Sequence, residues 1–190
     1  VKQNQTKQIG LLQTSNVPVK KQFIYEGQSH FFRNYYGEPF KNEKVAVNIE
    51  IANKSEHNLG IPLPKGILRM YKHDADGSLQ FIGENSIQHT PKDEKINVKI
   101  GNAFDIVGER KQMQWEKVSK NINEVAYEIS LRNHKAEDIV VKVVEHPFAD
   151  WKVLESSHTY KRDDSTTLSF DVPVKKNKEA KLFYKLRIKY

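Results

Sequence analysis

The sequence contains no cysteine, and this absence removes several kinds of chemistry at once. Without thiols the chain can form no disulfide bond, no thiolate zinc site and no cysteine nucleophile. Its seven histidines are dispersed and form neither a His-x-His pair nor a His-Glu-x-x-His motif, so zinc ligation has no support either. We therefore expect no metal and no other cofactor.

Long apolar runs and enzyme motifs are also missing. No segment approaches the roughly 18 apolar residues that a membrane-spanning helix needs, and no signal peptide is visible. Nucleophile elbows, phosphate-binding loops and dinucleotide fingerprints are absent. Carboxylates such as Glu109, Glu116 and Asp163 are scattered, although a glycosidase pair needs only to meet in space. The sequence therefore predicts a protein that is not an enzyme.

What the sequence does contain is apolar residues at every second position. Successive side chains of a strand point to opposite faces, so each such segment predicts a strand with one buried face. Residues 139–144 are apolar on both faces, which is typical of a central strand. A further long strand is predicted over 105–117. The alternating segments are 45–51, 96–100, 125–131, 168–172 and 182–190.

Turn signals separate these strands at short intervals. The clearest is Asp74–Ser78, where Gly77 can take a positive φ in a hairpin turn. No segment has a sustained helical stripe. We therefore predict an all-β chain of antiparallel β-sandwiches, immunoglobulin-like in the C-terminal half. The predicted division is 1–106 and 107–190, and a single continuous β-sandwich is the alternative.

Four short motifs appear in a recognisable order. They are Pro62–Lys72, Phe81–Glu84, His89–Pro91 and Ile100–Asp105. In this order, over about residues 31–190, the chain resembles the C-terminal β domain of bacterial envelope proteins of the mucoidy-inhibitor-A type, a domain family of unknown function. The resemblance implies an all-β fold, a bacterial source and export, and it offers no catalytic residues.

One candidate binding surface is the aromatic-rich stretch 30–40. Exposed Tyr, Phe and Arg side chains can stack on sugars or anchor a protein partner, since these residue types are enriched at interfaces. The alternative is a segment whose aromatic rings fill the core. The candidate surface residues are Phe31, Arg33, Tyr35 and Tyr36.

The second candidate surface is the last strand. The net charge of the chain is +7, and residues 175–190 carry seven basic residues against one acidic residue, so the positive charge is concentrated there. A basic face can bind an anionic polymer, or it can simply guard a terminal strand against aggregation. The face comprises Lys181, Lys185, Arg187 and Lys189.

Together these features predict a non-enzymatic β-sandwich module, secreted or periplasmic in the cell envelope, that acts by binding or scaffolding. The alternative is a carbohydrate-binding or weakly carbohydrate-active protein. The expected partners are another envelope protein or an anionic or carbohydrate polymer. Nucleic acid is not expected, because no nucleic-acid-binding motif accompanies the basic residues.

Overall fold

The computed structural model describes residues 9–74 and 76–190, so the first eight residues of the predicted N-terminal half and Ala75 of the predicted turn lie outside it. The described chain is all-β, as the sequence predicted, with two short 3₁₀ turns at Ser29–Phe32 and Ser55–His57. Its strands are β1 (Val19–Glu26), β2 (Phe40–Ala52), β3 (Gly66–His73), β4 (Leu79–Ile87), β5 (Lys95–Ser119), β6 (Ile122–Asn133), β7 (Ile139–Glu145), β8 (Asp150–Ser156), β9 (Tyr160–Arg162), β10 (Leu168–Val174) and β11 (Lys178–Lys189).

The longest strand joins two segments that the sequence presented separately. β5 runs without interruption through the alternating residues 96–100 and the predicted strand 105–117. Its register with β6 shifts between Gln112 and Gln114 and again between Lys117 and Ser119. Such bulges bend a strand and increase its twist, which lets one long strand follow a curved sheet.

Nine of the strands form one sheet in the order β8-β11-β6-β5-β2-β1-β7-β10-β9. Most of its pairs are antiparallel, but β1 and β7 run parallel, with Phe23 opposite Val141 and Tyr25 opposite Val143. Strands joined by a short turn must be antiparallel, whereas more than a hundred residues separate β1 from β7 and impose no direction. β3 and β4 form a separate two-stranded sheet.

The described chain groups into two compact units that interleave along the sequence. The smaller comprises residues 9–20 and 49–98, and the larger comprises 21–48 and 99–190. Residues 21–48 thus group with the C-terminal part, although they lie within the predicted N-terminal half. Whether the chain has two domains or one stays a prediction.

The larger unit has a core of aromatic and branched aliphatic side chains. The sheet curls so that β10 lies opposite β11, and the stacked rings of Phe170 and Tyr184 are 5.4 Å apart. The alternation predicted for β6, β10 and β11 places their apolar residues on this inner face. Fully buried examples are Val125, Ile129, Leu131, Leu168, Val172, Leu182, Leu186 and Ile188.

The smaller unit is organised around a buried asparagine. Asn53 has no exposed surface, and its amide nitrogen donates to the carbonyl oxygens of Ile61 and Pro91, each at 2.8 Å. Its amide oxygen accepts a hydrogen bond from the Gly60 nitrogen at 2.9 Å. One side chain thereby ties together two loops that have little regular structure of their own. Buried apolar residues of the same unit are Ile49, Ile51, Leu63, Ile96 and Val98.

We predict that Asn53→Ala destabilises the smaller unit by about 3 kcal/mol, because it leaves two carbonyl groups and one N–H unpaired. The measurement is thermal and denaturant unfolding, with hydrogen exchange to localise the loss. Asn97→Ala is the matched control, since Asn97 is exposed on β5 within the same unit. Equal stabilities of the two variants would contradict this role for Asn53.

Candidate binding surface

The predicted aromatic surface turns mostly inward. Phe31 and Phe32 lie within the 3₁₀ turn and are buried, while Tyr36 and Phe40 are half-buried. The ring centroids of Phe31 and Phe40 are 4.8 Å apart, and those of Tyr36 and Phe40 are 5.2 Å apart. Phe31, a candidate surface residue, is therefore a core residue, because the turn directs its ring toward the sheet.

Two polar side chains of the sheet hold this aromatic segment in place. The Gln112 amide accepts a hydrogen bond from the Tyr36 backbone nitrogen at 2.6 Å and donates to the Asn34 carbonyl at 3.1 Å. The Tyr127 hydroxyl donates to the Phe31 carbonyl at 2.6 Å. Gln112 also donates to the Tyr127 hydroxyl at 2.9 Å, which links both anchors.

Of the four aromatic-segment candidates, Arg33 and Tyr35 remain at the surface. The Tyr35 side chain is 68 % exposed. The Arg33 guanidinium lies 4.8 Å from the centre of the Phe148 ring, a cation–π contact within the larger unit. Arg33 and Tyr35 are separated and do not form a continuous binding surface. The aromatic segment therefore mainly covers the core.

Beneath this cover lies a fully buried ion pair. Arg110 on β5 and Glu145 on β7 both have no exposed surface, and Nη2 of Arg110 is 2.6 Å from Oε1 of Glu145. A second guanidinium nitrogen of Arg110 donates to the Tyr184 hydroxyl at 3.2 Å. Burial raises the pKa of Glu145, and the positive charge of Arg110 opposes part of that rise.

Aromatic rings enclose the guanidinium of Arg110. Its central carbon lies 4.5 Å from the ring centre of Phe31, 5.1 Å from that of Tyr127 and 5.4 Å from that of Tyr25. Burial lowers the pKa of Arg110, but the Glu145 carboxylate, Tyr184 and Tyr25 together outweigh this effect and raise it, so the guanidinium stays charged. Ring faces carry negative partial charge and stabilise a cation that water cannot reach.

The surroundings of Glu145 are packed too closely to admit a ligand. A Cβ atom on Gly27 would overlap the Glu145 carboxylate, so only glycine fits there. Tyr25, whose hydroxyl donates to Glu43, covers another side of Arg110. Burial also raises the pKa of Tyr25, which keeps its hydroxyl neutral. The buried charges of this centre therefore stabilise the fold and are not available for chemistry.

The basic face of the last strand exists, but acidic neighbours neutralise most of it. Lys181 pairs with Glu128 on β6 at 2.9 Å. Lys185 and Arg187 both pair with Glu124 of the same strand, at 2.7 and 2.6 Å. Lys189 is exposed at the end of β11. Three of the four candidate cations thus have a carboxylate partner, because β6 supplies acids on the face where β11 supplies bases.

A shallow open depression is lined by residues 153–160, from the second half of β8 to the start of β9. It contains Ser157 and His158, whose Oγ and Nδ1 atoms are 2.9 Å apart. The Ser157 hydroxyl is occupied by the backbone of Phe183, whose N–H donates to it at 2.9 Å and whose carbonyl lies at 3.3 Å. No acidic side chain of the described chain orients His158. The pair therefore anchors the loop to β11 and lacks the third member of a hydrolytic triad.

Four exposed apolar side chains lie on one face of the β3–β4 hairpin. Ile67 and Tyr71 of β3 share one face with Leu79 and Phe81 of β4, and each side chain is 54–62 % exposed. Tyr71 lies directly opposite Phe81, with ring centroids 5.6 Å apart. We call these four residues the hairpin platform. The Arg69–Glu84 ion pair, at 2.9 Å, lies on the same face.

The turn of this hairpin was predicted, but its platform was not. Gly77 has the positive φ of +83° that the turn requires. Ile67 and Tyr71 alternate with residues that are also apolar, Leu68 and Met70, so neither face stood out in the sequence. A register shift between Met70 and Tyr71 brings Tyr71 opposite Phe81, and such bulges are not visible from residue spacing.

Comparisons with known proteins found no matching family model, no matching curated protein and no matching solved structure. Within the described residues, no group of three or more His, Asp or Glu side chains is placed to hold a metal ion. The same part of the chain has no helix of the length and apolarity needed to cross a membrane.

We predict that Glu145→Gln destabilises the larger unit by about 3 kcal/mol, because it leaves the buried Arg110 charge with only the more distant carboxylate of Glu43, 3.9 Å away. The double variant Arg110→Met/Glu145→Leu should lose less stability than the sum of the losses in the single variants Arg110→Met and Glu145→Leu. A double-mutant cycle by chemical denaturation measures the coupling. The half-buried pair Arg132–Glu109, 3.5 Å apart, should show weaker coupling, of about 1 kcal/mol or less, and equal values for both pairs would contradict the buried pair's role.

We predict that Glu124 makes the protein acid-sensitive. Lys185 and Arg187 lower the pKa of Glu124, so the carboxylate contributes stability above the ordinary pKa of 4.5 and loses it as the pH falls through the lowered value. Glu124→Gln should cost about 1 kcal/mol at pH 7 and less below about pH 4. Unfolding free energy against pH measures this, with exposed Glu155→Gln as control. A deficit that is constant with pH would refute it.

Proposed function

We propose that this chain is a non-enzymatic module of the bacterial cell envelope that binds or scaffolds a partner through the hairpin platform. The observation that carries the proposal is the exposure of four large apolar side chains on one face of β3 and β4. Exposed apolar surface of this kind is typical of interaction sites, and here the Arg69–Glu84 ion pair lies between Ile67 and Tyr71 on the same face.

The arrangement of the charged groups also supports binding rather than catalysis. Arg110 and Glu145 are enclosed in the core, and Glu124 and Glu128 are paired with basic residues of β11. A general acid or base must reach its substrate, and these carboxylates are engaged in ion pairs within the fold. The hairpin platform, by contrast, exposes four large side chains to solvent.

The envelope location rests on the resemblance to the C-terminal β domain of mucoidy-inhibitor-A-type proteins. We propose, from the same resemblance, a bacterial source and a secreted or periplasmic location. We also propose that the larger unit is an immunoglobulin-like sandwich, which is supported by β10 packing across the core from β11 through Phe170 and Tyr184.

Carbohydrate binding is the second candidate function. The exposed rings of Tyr71 and Phe81 lie beside the Arg69–Glu84 pair, which combines apolar ring faces with groups that can donate and accept hydrogen bonds. Sugars present both apolar and hydroxyl surfaces, so this combination suits them. The aromatic rings at 31–40 favour it less, because Phe31 and Phe32 are buried and Tyr36 and Phe40 are half-buried.

We predict that Tyr71→Ala/Phe81→Ala weakens binding to isolated bacterial envelope fractions about tenfold or more, since two large aromatic contacts are lost. The measurement is quantitative co-sedimentation with membrane vesicles and, separately, with purified cell-wall sacculi. Competition by soluble cell-wall oligosaccharides distinguishes carbohydrate from protein partners.

Phe104→Ala is the matched control for this test. Phe104 is fully exposed on β5, outside the hairpin, so its removal alters a similar amount of apolar surface elsewhere. Circular dichroism and thermal unfolding must show that all variants fold. The proposed function is wrong if the wild type binds neither fraction. It is also wrong if the hairpin variant binds as well as the Phe104 variant.

A further inference from the structure

The six arginines of this chain differ in what their guanidinium groups bind. The Nε atom of Arg162 donates to the backbone carbonyl of Asp164 at 3.4 Å. Arg33 is exposed, and its guanidinium has no hydrogen bond and no ion pair within residues 9–74 and 76–190. Its N–H groups are therefore all available to a ligand. The other four arginines are ion-paired with carboxylates and are Arg69, Arg110, Arg132 and Arg187.

The contacts of Arg33 hold its guanidinium in place at the surface. Its backbone nitrogen donates to the His30 carbonyl at 3.0 Å, at the end of the 3₁₀ turn. Its guanidinium carbon lies 4.8 Å from the centre of the Phe148 ring. Phe148 follows β7 and is half-buried against the core of the larger unit. The ring therefore fixes the position of the cation without engaging its N–H groups in hydrogen bonds.

Tyr190 extends this position into a small cluster. The centre of its ring lies 5.3 Å from that of Phe148, and the residue is 48 % exposed. Its hydroxyl donates to the Phe32 carbonyl at 3.3 Å and accepts a hydrogen bond from Nδ2 of Asn123 at 3.2 Å. We call Arg33, Phe148 and Tyr190 the arginine cluster, and all three belong to the larger unit.

The charged groups beside the arginine cluster leave it positive. Lys117 on β5 lies directly opposite Asn123 on β6, so both side chains point to the same face of the sheet. Lys117 has no carboxylate partner within the described part of the chain. The acidic residues close by are engaged or opposed, because Glu26 is hydrogen-bonded to His146 at 2.6 Å and Asp150 lies opposite the exposed lysine at the end of β11.

The groups that the arginine cluster leaves free select the chemistry of its ligand. A guanidinium only donates hydrogen bonds, and its paired N–H groups match the two oxygens of a carboxylate. The acceptors beside it are engaged, since the Phe32 carbonyl accepts from Tyr190 and the Tyr190 hydroxyl accepts from Asn123. A sugar hydroxyl needs acceptors as well as donors, whereas a carboxylate needs donors only. The cluster therefore suits a carboxylate beside an apolar group that packs on the Tyr190 ring.

We propose that the arginine cluster is a second binding site, and that its ligand is an acidic peptide segment of a partner protein whose Asp or Glu carboxylate pairs with Arg33. Arginine and tyrosine are enriched among the residues that dominate protein–protein binding. Side chains that are held in place before binding also lose little entropy when the ligand arrives. The cluster shares no residue with the hairpin platform, so it is independent of the function proposed above.

The test is fluorescence polarisation of two labelled, C-terminally amidated peptides with the full chain at low salt. One is a hexapeptide of alternating glutamate and leucine, and the other has glutamine in place of glutamate. The wild type should bind the glutamate peptide about tenfold more tightly than the glutamine peptide. Arg33→Gln should raise the dissociation constant for the glutamate peptide about tenfold or more. Arg33→Lys should recover only part of this loss, because an ammonium group cannot pair bidentately with a carboxylate.

Arg162→Gln is the matched control for this test. Arg162 is also exposed in the larger unit, and its guanidinium lies 4.2 Å from the centre of the Trp151 ring. The variant thus loses the same charge and the same kind of cation–π contact at another place. It should bind the glutamate peptide like the wild type. Thermal unfolding of each variant verifies that it is folded.

A wild type that does not distinguish the two peptides would overturn the inference, as would an Arg33→Gln variant that binds like Arg162→Gln. Tighter binding of trigalacturonate than of the glutamate peptide would indicate an acidic glycan and would also overturn it. Tyr71→Ala/Phe81→Ala should bind the glutamate peptide like the wild type. The hairpin proposal can therefore fail while this site stands, and this site can fail while envelope binding still depends on Tyr71 and Phe81.

Discussion

The buried ion pair between Arg110 and Glu145 is the constraint on which the larger unit depends. A charge without water requires a partner, and the partner must lie on a different strand that packing brings close. Arg110 comes from β5 and Glu145 from β7, so their contact fixes the approach of two strands that are distant in the sheet order. Phe31, Tyr25 and Tyr127 then pack on the guanidinium. The aromatic segment is consequently part of the core rather than a binding surface.

The same principle of paired charges explains the last strand. Its basic residues look like an electrostatic surface when the sequence is read alone, because β6 lies about fifty residues earlier in the chain. In the sheet, the antiparallel register brings Arg187 opposite Glu124 and Lys181 close to Glu128. The positive face thereby becomes a mixed face. Neither of the two surfaces predicted from the sequence forms an extended binding face in the structure. The β3–β4 hairpin exposes more large apolar side chains than either of them.

The β3–β4 hairpin differs from the rest of the described chain in how little of its apolar surface is buried. Most strands bury one face against a core, and the exposed edges of the nine-stranded sheet are short or charged. β3 and β4 expose four large apolar side chains and, at β4, an edge with one charge. The exposed apolar side chains of this hairpin give it a surface suited to a bound partner.

The sequence by itself determined the all-β class, the alternating faces of the main strands and the hairpin turn at Gly77, because these depend on residues adjacent in the chain. Val125 to Leu131 and Leu182 to Ile188 were buried as their alternation predicted. Only the tertiary structure decided the parallel pairing of β1 with β7, the burial of Phe31, the neutralisation of Lys185 and the platform on β3 and β4. Each of these depends on which distant residues meet across a sheet, and spacing along one chain does not contain that information.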